Sequence, residues 1–159
     1  MANITNFPNL KYKTISADPP WPEHGGGKIK RGADRHYKLM TVKEIASLPV
    51  NQISEENAHL YLWVTNNYLK AGMQVMEAWG FTYKTKIDWV KADVNPDGTF
   101  KLQNPGLGQY FRGADEVCLF GVKGFLPYKV SPEGKRQQGK TVLVAPRGKH
   151  WRSQKSCDK

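Results

Sequence analysis

From Tyr12 to Ala17 the chain alternates apolar and polar positions around the β-branched pair Thr14 and Ile15, which predicts a strand. It stops at Asp18-Pro19-Pro20, where two prolines cannot donate to a sheet ladder. Pro22 to Arg35 carries Gly25, Gly26, Gly27 and Gly32 among Lys28, Lys30 and Arg31, a composition that buries no apolar surface and predicts a mobile basic loop. Thr41 followed three residues later by Glu44 is a capping box ahead of Ile45, Ala46 and Leu48, so a short helix is expected before Pro49. His59 to Val64 is aromatic and β-branched enough for a second strand, and Tyr68 to Trp79 places Leu69, Met73, Val75 and Met76 on roughly one helical side, with Gly80 as the stop. Phe81 to Val90 resumes a strand pattern ahead of the turn Asn95-Pro96-Asp97-Gly98. Val117 to Val122 and Thr141 to Ala145 complete the apolar runs, separated by a basic stretch with Pro and Gly from Gly124 to Lys140. Strands alternating with helices predict an α/β sheet with parallel pairs.

The 159 residues, 39% of them hydrophobic, suffice for one core, so a single domain over 1–159 is expected. The longest apolar runs, such as Ala58 to Val64, fall far short of the roughly 20 residues of a membrane-spanning helix. Met1 to Pro8 has neither a basic nor an apolar signal region, which predicts a cytoplasmic address and no membrane partner. Cys118 and Cys157 match no metal-ligand spacing, so neither zinc nor a disulfide is expected. Lys and Arg number 24 against 14 Asp and Glu, and the net charge of +10 attracts polyanions. Nucleic acid is the expected partner; a basic surface kept for solubility is the plainer alternative.

Chemistry concentrates in Asp18-Pro19-Pro20-Trp21, directly after a predicted strand, where open α/β sheets place their ligands. If the substrate is adenine, its exocyclic amine is a poor nucleophile, because the lone pair is delocalised into the ring. The Asp18 carboxylate can accept one N–H and a backbone carbonyl of the rigid Pro19-Pro20 segment the other, holding the nitrogen as it becomes tetrahedral. Trp21 offers a flat face for a base taken out of its stack. The competing reading is a proline turn whose Asp18 bonds its own backbone and whose Trp21 covers core.

The chain resembles the N6-adenine methyltransferases that include the catalytic subunit of the eukaryotic messenger-RNA adenosine methyltransferase and many bacterial and phage relatives. The resemblance runs from about Tyr12 to about Lys155. It rests on Ala17-Asp18-Pro19-Pro20-Trp21, His36-Tyr37 with Met40, Leu62-Trp63-Val64-Thr65, Trp79-Gly80-Phe81 and Trp89-Val90-Lys91, then on Gly108, Arg112, Glu116, Gly121-Val122-Lys123-Gly124 and Ala145-Pro146-Arg147. It implies a Rossmann-like S-adenosylmethionine-dependent fold in permuted order, with the Asp-Pro-Pro-Trp loop early. It also implies that Asp18, Pro19, Pro20 and Trp21 bind the target amine, that Tyr37 lies near the base, and that Lys123, with Asp18, reaches the cofactor. Compact bacterial and phage relatives put DNA before RNA as the substrate.

Each transfer has a plainer reading beside it. Tyr37 can pack at a loop's base, and His36 can be a hydrogen-bonding neighbour. Trp63, among Leu60, Leu62 and Val64, can be core rather than a stacking surface for the base. Lys123 can be an ordinary lysine at a strand end, and Glu116 can pair with Arg112. Lys28, Lys30, Arg31 and Arg35 bind phosphates or line a solvated loop. Family members continue past the region matching His150 to Lys155 with a helix and a further strand that hold most ribose and adenine contacts. The expectation is therefore a fold without its C-terminal strand or strands, and an exposed sheet edge open to a partner chain or to self-association. A catalytically silent nucleic-acid-binding partner subunit is the alternative to an enzyme.

Overall fold

A computed structural model describes residues 9–22, 38–103 and 110–147. The first strand, β1 (Tyr12–Ala17), ends where the sequence places its end, at the prolines. Thr41 caps α1 (Val42–Ala46): its hydroxyl accepts the Glu44 N–H at 3.2 Å while the Glu44 carboxylate accepts the Thr41 N–H at 2.7 Å. This reciprocal pairing satisfies donors that the first helical turn cannot. Pro49 leads into a single turn, α2 (Val50–Ile53), which sequence periodicity does not show. β2 (Ser54–Val64) starts earlier than its aromatic segment because Ser54 and Ala58 continue the same buried face as Leu60, Leu62 and Val64.

A 3₁₀ turn over Asn66–Tyr68 leads into α3 (Leu69–Ala78), and Gly80, at φ 83°, makes the left-handed exit that a side chain would resist. β3 (Thr82–Val94) and β4 (Phe100–Leu102) form a hairpin closed by Asn95 N–H to Thr99 O at 2.8 Å. β5 (Asp115–Lys123) follows, then a small arm of β6 (Lys129–Val130) and β7 (Arg136–Gln137), and last β8 (Val142–Ala145). The arm and β4 are absent from the sequence reading, being too short to show a period.

The main sheet runs β1-β2-β5-β3-β4, with β8 also paired to β3. β1–β2 and β3–β8 are parallel, as expected, but β5 is antiparallel to both β2 and β3. β2 and β3 are therefore parallel to each other, joined by α3 in a βαβ crossover with β5 lying between them. This mixed α/β sheet is consistent with the Rossmann-like methyltransferase fold.

The helices cover one face. Ile15, Leu60, Leu62, Val64 and Leu119 meet Ile45, Val75, Met76 and Trp79 there, and the Trp79 indole N–H donates to Ile45 O at 3.1 Å. Gly72 lets α3 come this close, since a Cβ there would lie 2.6 Å from Val64 Cγ1 and 3.0 Å from Leu119 Cδ1. Gly72→Ala gains up to about 1 kcal/mol of helix propensity, but Val64 is β-branched and cannot turn aside. The overpacking cost of about 1–3 kcal/mol prevails, and the expected result is a lower urea midpoint at unchanged slope.

The opposite face carries His59, Tyr61, Trp63, Trp89 and Phe120, all half-buried, and no described helix lies against it. Among the described residues no helix is long and apolar enough to cross a membrane, and no cluster of His, Cys, Asp and Glu is suited to a metal ion. Cys118 is a free, buried thiol whose pKa is pushed up to about 11 by desolvation, which keeps it protonated and unreactive; Cys157 lies outside the described residues.

Candidate active site

The segment after β1 is held at four points. Trp21 N–H donates to Pro19 O at 2.8 Å, a γ-turn centred on Pro20, whose ring already supplies the required φ. Met40 N–H donates to Pro20 O at 3.0 Å, the Trp21 indole N–H to Trp63 O at 2.9 Å, and the Tyr68 hydroxyl to Pro22 O at 2.8 Å. Pro19 and Trp21 are buried, whereas Asp18 remains exposed at the end of the strand. The Pro19 and Pro20 carbonyls each accept one backbone N–H already, so each keeps one lone pair for a further donor.

The expected role of Trp21 as a platform for the base is corrected by this packing. Its ring is 4% exposed and lies 5.7 Å from Tyr68, stacked at 21°. An indole covered in this way fastens the loop and leaves no open face for a ligand. Tyr68, read from the sequence only as the start of a helix, is the missing piece: it supplies both the ring that covers Trp21 and the hydroxyl that holds Pro22. Tyr68→Phe removes about 1 kcal/mol of hydrogen bonding. It should leave the thermal midpoint within a few degrees of wild type while lowering any turnover that depends on the loop.

Three further side chains share the Asp18 end of the sheet. Glu116, at the start of β5, is opposite Trp89 and forms an ion pair with Lys91; this replaces the expected Glu116–Arg112 pair. Lys91 points back along its own strand to lie 5.5 Å over the Trp89 ring. The Asp18 carboxyl is held above the usual carboxylate range, first by partial desolvation and then by repulsion from Glu116. Thr65 Oγ1, just past the end of β2, is buried without a hydrogen-bond partner among the described residues, an unmet donor and acceptor at the same end.

Trp63 is not a core residue. It lies half-buried on the helix-free face, edge-on to Trp89 at 6.3 Å, and its carbonyl receives the Trp21 indole. The Trp89 indole in turn donates to Ala145 O at 3.1 Å, and Arg147 N–H to Gln103 Oε1 at 2.8 Å, tying the segment after β8 to this end.

Lys123 does not join the site. Because β5 is antiparallel to β2, Lys123 pairs with Ala58 while Val117 pairs with Val64. The six residue steps from one to the other span roughly 20 Å at about 3.4 Å each. Its ammonium is bound to Asn51 Oδ1 at 2.5 Å and Ser54 Oγ at 2.8 Å, a structural role that satisfies a buried serine. His36, Tyr37, Lys28, Lys30, Arg31 and Arg35 lie outside the described residues.

An exposed carboxylate on a fixed loop, with free carbonyl lone pairs beside it, suits an amino group that must give up two N–H bonds' worth of freedom. Comparison with known proteins agrees. Residues 12–156 match the family model described as MT-A70. The chain is 29% identical to the type II methyltransferase M.MunI of a Mycoplasma species, over 91% of this chain and 63% of that protein. It is 30% identical to a putative N(6)-adenosine-methyltransferase MT-A70-like protein of Medicago truncatula, over 85% and 19%. It is 29% identical to the human N(6)-adenosine-methyltransferase catalytic subunit METTL3, over 72% and 18%. The chain thus spans less than two thirds of the length of each of these relatives. MT-A70 methyltransferases take their methyl group from S-adenosylmethionine. The match over nearly the whole length shows that this chain belongs to the MT-A70 family.

Proposed function

We propose that the chain transfers a methyl group to the N6 amine of adenine in nucleic acid in the cytoplasm, with DNA put before RNA. The observation that carries this is the Asp18 carboxylate, exposed on a loop fixed by four hydrogen bonds. DNA is put first because, of the three relatives described, the one whose length this chain spans best is a type II methyltransferase.

S-adenosylmethionine supplies, when bound, a methyl carried on a sulfonium. The Asp18 end fits such a donor: it offers an acceptor-only carboxylate and a buried hydroxyl, Thr65 Oγ1, that has no hydrogen-bond partner among the described residues, while Lys123 lies too far away to contribute there. Asp18 accepts one N–H of the amine and a proline carbonyl the other, which turns the nitrogen lone pair toward the incoming methyl. As the nitrogen becomes cationic the Asp18 carboxylate stabilises it and takes up the proton that must leave. Its raised pKa makes it a better acceptor for that proton than an ordinary aspartate.

The test uses S-adenosylmethionine with a labelled methyl, adenine-containing DNA and RNA oligonucleotides, and digestion to nucleosides. Label in N6-methyl-2′-deoxyadenosine is the expected result, and label confined to another nucleoside or absent altogether would reject the reading. A silent nucleic-acid-binding partner subunit is the second reading, favoured by the absence of Lys123 from the Asp18 end. It predicts oligonucleotide binding that weakens steeply with salt and no heat on titration with S-adenosylmethionine.

A further inference from the structure

The helix-free face of the sheet carries a series of rings that the Asp18 loop does not use. Trp63 and Trp89 meet edge to face near Asp18. Two residues back along β2, about 6.8 Å away, Tyr61 stands beside Phe120 at 5.1 Å, and Phe120 meets His59 at 5.1 Å. Beyond them the chain leaving β5 turns at Gly124, φ 61°, and doubles back over the same face. Phe125 N–H donates to Asn57 Oδ1 at 2.7 Å, and the His59 ring bonds Leu126 O at 2.7 Å, so this overhang is anchored.

Between overhang and sheet lies a groove of about 710 Å³. Tyr61 and Phe120 line it from the sheet, Phe125 and Tyr128 from the overhang, and Lys84 and Lys140 are its charged members. No carboxylate among the described residues lines it. Phe125 is 80% exposed, and the Arg136 guanidinium lies 5.0 Å over the Tyr128 ring. Rings left open to water beside cations, with no anion among the described groove residues to pair them, form a surface complementary to a ligand that has both flat apolar faces and negative charge. A duplex hides its base faces, so an unpaired strand is the form that fits.

We propose that this face, from Trp63 and Trp89 to the groove under the β6–β7 arm, is a track for single-stranded nucleic acid, holding the strand that flanks the target base. The inference rests on the nucleic-acid reading above, and its test requires no turnover.

The full chain is titrated into a fluorescently labelled oligothymidylate and into a duplex of equal length, with anisotropy as the readout, for wild type, Phe125→Ala and Tyr128→Ala. Both side chains are exposed, so the variants should fold, and circular dichroism checks that they do. Each is expected to weaken single-strand binding about fivefold to a hundredfold, the affinity equivalent of about 1–3 kcal/mol per stacked base, and to leave duplex binding unchanged. Wild-type affinity in both variants would overturn the track, as would a duplex that competes as well as the single strand. Self-association that both variants abolish, with oligothymidylate binding intact, would assign the face to a second copy of the chain and equally overturn it. Oligothymidylate separates the two readings, because it carries no adenine to methylate: the track requires wild type to bind it whether or not wild type methylates adenine.

Discussion

Replacing Asp18 by Asn is expected to lower methyl transfer to adenine by about 10²- to 10³-fold, the usual cost of removing one preorganised group aimed at developing charge. The amide keeps the size of the carboxyl group but can neither stabilise the cationic nitrogen nor accept its proton. The loop should stay in place, since all four of its hydrogen bonds come from other groups. Stability is expected to hold or rise. The Asp18 pKa is raised in the folded protein above its value of 3.8, so the native state binds this proton more tightly than the unfolded chain does. The contribution of Asp18 to stability therefore worsens as pH rises from 3.8 through the raised value, and it stays unfavourable above that window. Asn removes the penalty, so the thermal midpoint of the variant at pH 7 should equal or exceed that of wild type, with the gain vanishing below the window. Wild-type turnover should fall as pH is lowered through the same window, an acid limb that the Asn variant lacks. A variant that methylates at the wild-type rate would remove Asp18 from the chemistry, and one that unfolds on purification would show that the carboxyl group holds the loop.

Trp21→Ala should show the opposite pattern, with stability lost before chemistry can be measured. The ring is 4% exposed, stacked on Tyr68 and hydrogen-bonded to the end of β2. Truncating so large a buried side chain costs about 3–5 kcal/mol, read as a fall in the urea midpoint. Trp21→Phe separates the two contributions, because it retains a ring against Tyr68 and leaves Trp63 O without its donor, at about 1–3 kcal/mol. If Trp21 were instead a surface for the base, both variants would fold like wild type and lose substrate affinity alone.

These two residues mark where the sequence is legible and where it stops. The end of β1, the capping box at Thr41 and Glu44 and the glycine exit at Gly80 are local, and each follows from a few neighbouring residues. The Asp18 loop is legible for the same reason, since two prolines after a strand dictate its course. Which way Trp21 faces is not, because it depends on Tyr68 and Trp63, more than forty positions away. Lys123 shows the same limit more sharply. Had β5 run parallel to β2, its last residues would have stood beside Asp18. Running antiparallel, it brings its first residues there instead, so Glu116 occupies that place and Lys123 the far end. Strand direction is set by long-range pairing that no local pattern encodes.

The position of β5 bears on how the chain acquires its shape during synthesis. β2, α3 and β3 leave the ribosome as an unbroken βαβ segment, yet their two strands never touch along their length; the gap between them waits for residues that arrive later, with Leu60 paired to Gly121 and Trp89 to Glu116. Until then the nascent protein displays two unsatisfied backbone edges, and it can close only through contacts far apart in sequence, the kind that make folding slow. A cell producing this protein quickly would therefore expose an aggregation-prone intermediate whose lifetime depends on how soon translation passes Lys123.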